Sequence, residues 1–203
     1  MSFTRFIIFL ALIISLAVNT QTCFALDPAT TGVVLLHGKG GDTESLHSIN
    51  DALTTAGFHT ETPLLPWSAS RNYDQPYQKA DADITSAISR LRAKGASRIV
   101  LAGHSMGGNA ALHKATSDKK LAAVVLLAPA FFPEGDTALK LSGDSVAKAK
   151  EIIRTKNVNQ TSEFVEVPSG KTVQLPAAIY LSYYDPSGPA AMSLFAPRIS
   201  DHV

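Results

Sequence analysis

Residues 103–107 read Gly-His-Ser-Met-Gly, a serine flanked at two residues on either side by glycine. A serine hydroxyl can attack a carbonyl carbon if it stands clear of the backbone and a base takes its proton. The G-x-S-x-G spacing achieves the first condition on a sharp strand-to-helix turn, where only small neighbours avoid collision. The context fits: residues 98–102 form an apolar strand-like run before the motif, and residues 106–117 a helical pattern after it. Ser105 is therefore the candidate nucleophile. The backbone N–H of Met106, at the helix N-terminus, is a candidate donor to a developing oxyanion.

An oxyanion hole needs a second donor, and residues 37–41, His-Gly-Lys-Gly-Gly, supply a glycine-rich loop after another apolar run. Lys39 is the candidate, through its backbone N–H, while its side chain reads as solvated. His37 reads as a turn residue bonded to backbone, and His104 as packing beside the nucleophile. The loop is not a phosphate-binding loop, which needs Gly-Lys-Ser/Thr running into a helix.

The surrounding elements alternate. Strands are expected at 31–37, 58–65, 98–102 and 122–127, with helices between them at about 43–57, 77–94 and 106–117. Strands without polar alternation, joined through helices, imply a mostly parallel sheet with helices on both faces, a three-layer α/β/α arrangement. Ligands then gather at the carboxyl ends of the strands, where both glycine-rich corners fall. Beyond residue 131 a helix is expected at 138–155, an irregular stretch at 157–170, and one or two short strands within 172–184. Residues 131–189 read as a cap or insertion over the sheet.

The order of strand, His-Gly-x-Gly-Gly loop, helix, strand, helix, strand, Gly-His-Ser-Met-Gly-Gly, helix and strand resembles the α/β-hydrolase superfamily over residues 31–129. The resemblance implies a Ser-Asp-His triad in that chain order, hydrolysis of esters or related acyl bonds, and no cofactor. After Ser105 the only histidines are His113 and His202. His113 lies more than two turns along the helix and reads as a surface residue, which leaves His202 as base. Asp185 follows a strand-like run and is the candidate acid. The resemblance implies a further strand and helix between acid and histidine, and residues 186–200 show neither pattern. The alternative expectation is thus a truncated, inactive hydrolase-like chain without acid and histidine, its sheet ending at an open fourth strand. Cofactor-free peroxidation through the same serine is a further alternative.

The rest of the sequence bounds the setting. Arg5 followed by an apolar run over residues 6–18 and Cys23-Phe24-Ala25 has the pattern of a secretory signal peptide, cleaved after Ala25. The run is shorter than the roughly 20 residues of a spanning helix. Export to the periplasm or medium would leave one domain, residues 26–203. Cys23 is the only cysteine, so that domain would hold no disulfide. Eighteen Lys and Arg against seventeen Asp and Glu, without charge blocks, give no footprint for nucleic acid. No histidine or cysteine cluster has metal-ligand spacing. A small-molecule acyl substrate fits best. Trp67, Tyr73, Tyr77, Tyr183 and Tyr184 form either an aromatic rim over the site or ordinary core, with Arg71 or Asp74 setting polarity. Asn159 begins a glycosylation sequon.

Overall fold

The computed structural model describes residues 26–155 and 160–199. The expected leader, the Asn159 sequon and His202 lie outside them. Four strands, β1 (Thr31–Leu36), β2 (His59–Glu61), β3 (Arg98–His104) and β4 (Ala123–Leu127), form one parallel sheet in the order β2-β1-β3-β4. The chain leaves β1 to one side and β3 to the other, so the crevice between their carboxyl ends is the switch point where open α/β sheets bind ligands. Leu36 opposite Gly103, and Gly103 opposite Leu126, set the two glycine-rich corners side by side there.

Every residue of β1 is buried, as its unbroken apolar run requires of a strand covered on both faces. Period-two alternation divides the central strands. Val34, Leu36, Ile99 and Leu101 face α2 (Ala80–Ala93) and α3 (Met106–Ser117), whose Ile84, Ile88, Leu91 and Ala110 join the same core. Val33, Leu35, Val100 and Ala102 face the opposite side, where Leu53 of α1 (His47–Thr55) packs. The three-layer expectation is met.

Above the strand ends, α4 (Asp136–Arg154), the antiparallel hairpin β5 (Thr161–Val165) and β6 (Thr172–Pro176), α5 (Ala177–Tyr184) and the short α6 (Met192–Phe195) build a cap. Four expectations need correction. The second strand is only three residues long: Pro63 has no N–H to give a ladder, and residues 62–65 peel away from the sheet. The stretch expected to be irregular contains β5, paired to β6 from Thr161–Pro176 to Val165–Thr172. The run Ala178 to Tyr184 is helix, not strand, because an apolar run buried on all sides suits either, and here α4 and the hairpin enclose it. His113 is not a surface residue but half-buried, its ring edge-on to Tyr77 at 5.6 Å and to Phe195 at 5.3 Å between centroids.

The five aromatic residues are core. Trp67 stacks on Tyr77 at 6.0 Å, Tyr183 meets both edge-on, and Tyr184 stacks on Tyr180 at 4.7 Å. Arg71 is bound to Asp74, to Asp83 and to the Leu64 carbonyl, a fastening of the loop between β2 and α2. Among the described residues no helix is long and apolar enough to cross a membrane.

Candidate active site

Ser105 stands at φ 51° and ψ −117°, backbone space that an L-residue adopts only under constraint. The constraint is visible on each side. A Cβ on Gly103 would lie 2.2 Å from the Gly107 carbonyl oxygen, and one on Gly107 would lie 2.1 Å from the Leu36 carbonyl oxygen. No side chain fits at either position, so the two glycines are what allow β3 to turn into α3 at this angle. The Ser105 N–H donates to the Leu127 carbonyl at 3.1 Å, tying the corner to the end of β4.

The loop after β1 passes directly over this corner. A Cβ on Gly38 would meet His104 Nδ1 at 2.9 Å and Ser105 Cβ at 3.3 Å, so the backbone approaches the nucleophile as closely as glycine permits. Gly38, Lys39, Gly40 and Gly41 line a cleft of about 360 Å³ with Ser45, His104 and Ser105. The loop is held by the Gly40 N–H to the Trp67 carbonyl at 2.8 Å and the Gly41 N–H to the Gly38 carbonyl at 3.1 Å. Among the described residues, neither the Lys39 nor the Met106 N–H is spent on a loop or cap hydrogen bond. An oxyanion hole would need two such N–H donors; Lys39 lines the cleft beside Ser105, and Met106 follows Ser105 at the N-terminus of α3.

His37 is buried and neutral in its hydrogen bonding. Nδ1–H donates to the Gly38 carbonyl at 2.8 Å, and Nε2 accepts from the Leu65 N–H at 3.1 Å. Burial lowers its pKa, against the Gly38 bond and Asp42, which raise it. With both nitrogens engaged it braces the loop, as the sequence suggests, and is not a base for Ser105. His104 is exposed rather than packed.

The model of the Alpha/beta hydrolase family matches residues 33–199. The chain belongs to that family. No curated protein matches it. Among solved structures, this α/β-hydrolase chain is similar to Paleococcus ferrophilus monoacylglycerol lipase, at 22% identity over 85% of this chain and 71% of that one, with a TM-score of 0.59. It is also similar to a structure of the metagenome-derived lipolytic enzymes LipS and LipT, at 18% identity over 85% and 69% with a TM-score of 0.57. At such identities the likeness speaks to the fold.

Ser105 and Lys39 line one cleft, Met106 follows Ser105 at the N-terminus of α3, and Asp185 lies elsewhere. Asp185 caps the C-terminus of α5 in the cap, not the end of a strand in the hydrolase sheet. Its carboxylate takes the Lys150 ammonium at 3.0 Å and the Ser187 N–H at 3.0 Å, the arrangement of a turn fastened to α4. It does not line the Ser105 cleft. His202 lies outside the described residues, and within them no histidine is hydrogen-bonded to Ser105.

Sequence reasoning missed the partners of the Lys39 side chain. Its ammonium is not simply solvated: it donates to the Val167 carbonyl at 2.8 Å and pairs with Glu166 at 3.2 Å, both in the turn of the β5–β6 hairpin. Glu166 also accepts from Tyr73 Oη at 3.0 Å and Ser169 Oγ at 2.9 Å. Burial works against its charge, but Lys39, Ser169 and Tyr73 outweigh that and hold its pKa below the ordinary value. These residues lie far apart in sequence, and no local pattern announces them.

Proposed function

We propose that this chain is a serine hydrolase of carboxylic esters, acting through an acyl-enzyme on Ser105. The observation that carries the reading is the strained Ser105 corner in a cleft that Lys39 also lines, with Met106 next in the chain at the N-terminus of α3. In the first step Ser105 Oγ bonds to the ester carbonyl carbon, its proton passes to a base, and the oxyanion lies against the two N–H groups. The tetrahedral species expels the alcohol, which takes the proton from the base. Water then attacks the acyl-serine in the same sense and releases the carboxylic acid. His202 is the base we propose. Asp185, bound to Lys150, suits the acid role poorly, and the acid stays unassigned among the described residues.

A second cavity, about 280 Å³, lies against Phe131, Phe132, Val167, Pro168 and Tyr184. Its walls, largely apolar with Asp136 and Thr137 among them, favour an acyl or alcohol group without negative charge, in keeping with the lipolytic names of the similar structures. The leader pattern in residues 1–25 supports export. A second reading, an elbow that binds acyl compounds without turnover, is favoured by the candidate acid Asp185 being bound to Lys150 away from the Ser105 cleft.

Labelling with a fluorophosphonate probe, alongside turnover of p-nitrophenyl butyrate, separates the two. The hydrolase reading expects labelling and turnover that vanish in Ser105→Ala and fall sharply in His202→Gln. A folded wild-type chain that neither labels nor turns over would replace it with the non-catalytic reading.

A further inference from the structure

The oxyanion loop is tethered to the cap by one side chain. Lys39 reaches from the loop that lines the Ser105 cleft to the Val167 carbonyl and the Glu166 carboxylate in the hairpin turn. Lysine and glutamate are each about one-fifth exposed, so the pair is shielded without being fully desolvated. The carboxylate is itself held in place by a tyrosine from a third segment. Tyr73 sits at φ 59°, a left-handed conformation rare for a bulky residue, and its hydroxyl donates to Glu166 while accepting from Tyr184 Oη at 3.0 Å. Backbone strain at a side chain that orients a charged partner is the kind of outlier that marks a functional constraint. The cap has other attachments to the body: the Tyr77 N–H donates to Ser182 Oγ, Tyr183 Oη to the Gln75 carbonyl, and Asn109 Nδ2 to the Ala190 carbonyl. The bridge from Lys39 is thus not needed merely to dock the cap. What it adds is a side-chain anchor for residue 39, between Gly38 and Gly40, which are held only through their backbone groups.

We propose that the Lys39 side chain, latched to Glu166 and the Val167 carbonyl, is a positioning group that holds its own backbone N–H at the oxyanion. The hole is then complete only when the cap hairpin is docked, and the cap contributes to the rate as well as to the shape of the substrate cavity. The proposal rests on the Ser105 reading above.

The test compares wild type, Lys39→Met, Lys39→Arg and Glu166→Gln for p-nitrophenyl butyrate turnover, for the rate of fluorophosphonate labelling, and for melting temperature. Removing an oxyanion donor outright costs roughly 100- to 1,000-fold in kcat; loosening one should cost less. Lys39→Met is expected to lower kcat and the labelling rate together by about tenfold, with KM within about twofold. Glu166→Gln is expected to fall in the same sense and by less, and Lys39→Arg, which keeps the ion pair, to restore most of the rate. A purely structural bridge would lower the melting temperature and leave kcat of the folded protein unchanged; that result, in either Lys39→Met or Glu166→Gln, overturns the latch while Ser105 remains the nucleophile. A wild type that neither labels nor turns over overturns both, and the two failures are told apart by the wild type alone. If Lys39→Met does not fold, Glu166→Gln, close to isosteric, carries the comparison.

Discussion

His37 supports the glycine-rich loop after β1 with both ring nitrogens, and its carbonyl accepts from the Trp67 indole N–H at 3.0 Å. Protonating Nε2 would place a charge in a buried site and abolish its bond from Leu65, which is why burial holds its pKa below the ordinary 6.5. The sign of the pH effect follows. Above pH 6.5 the ring is neutral in both folded and unfolded chains, and its contribution is fully present. As pH falls below that value the unfolded chain takes up a proton that the folded one refuses, so stability declines until the folded pKa is passed. His113, also lowered by burial, adds in the same direction against the opposing pull of Asp81. Urea unfolding should therefore show lower stability at pH 5.5 than at pH 7.5. His37→Gln, whose side-chain oxygen can still accept from Leu65, should flatten part of that slope; an unchanged slope would assign the effect elsewhere.

Among the elements, α3 is locked at one residue. Asn109 is fully buried one turn beyond Ser105. Its Oδ1 accepts a short hydrogen bond from Tyr77 Oη, and its Nδ2 donates to the Phe131 carbonyl at 2.9 Å and the Ala190 carbonyl at 3.0 Å. One amide thereby joins α3 to the segment entering α2 and to both ends of the cap. Asn109→Leu would leave three buried polar groups without partners, at about 1–3 kcal/mol each. The expected loss is about 3 kcal/mol or more of unfolding free energy at unchanged m-value, and a loss below about 1 kcal/mol would mean the site relaxes. Nothing in the sequence announces this residue, because its partners are 22, 32 and 81 positions away. The Ser105 corner was legible for the opposite reason: Gly103 and Gly107 sit within two residues of the serine whose geometry they permit. The cap fell between these cases. Its apolar run at 178–184 has no period that separates a buried helix from a buried strand, and only the enclosing α4 and hairpin decide.

At the scale of the molecule the sheet is covered unevenly. Among the described residues β4 pairs only with β3. Its Val125 and Leu126 are 44% and 38% exposed, whereas β1 is buried throughout. A parallel strand normally has both faces covered, and an apolar edge with unpaired backbone groups is a template for pairing with another chain. The described chain should therefore self-associate as its concentration rises, with light scattering or sedimentation reporting the larger species. Val125→Lys places a charge on that edge and should shift the distribution toward monomer. It lies outside the Ser105 cleft, so the labelling rate of Ser105 should be unchanged. A size distribution identical to wild type would show that β4 is not the contact, and a loss of labelling together with the shift would mean that association itself shapes the site.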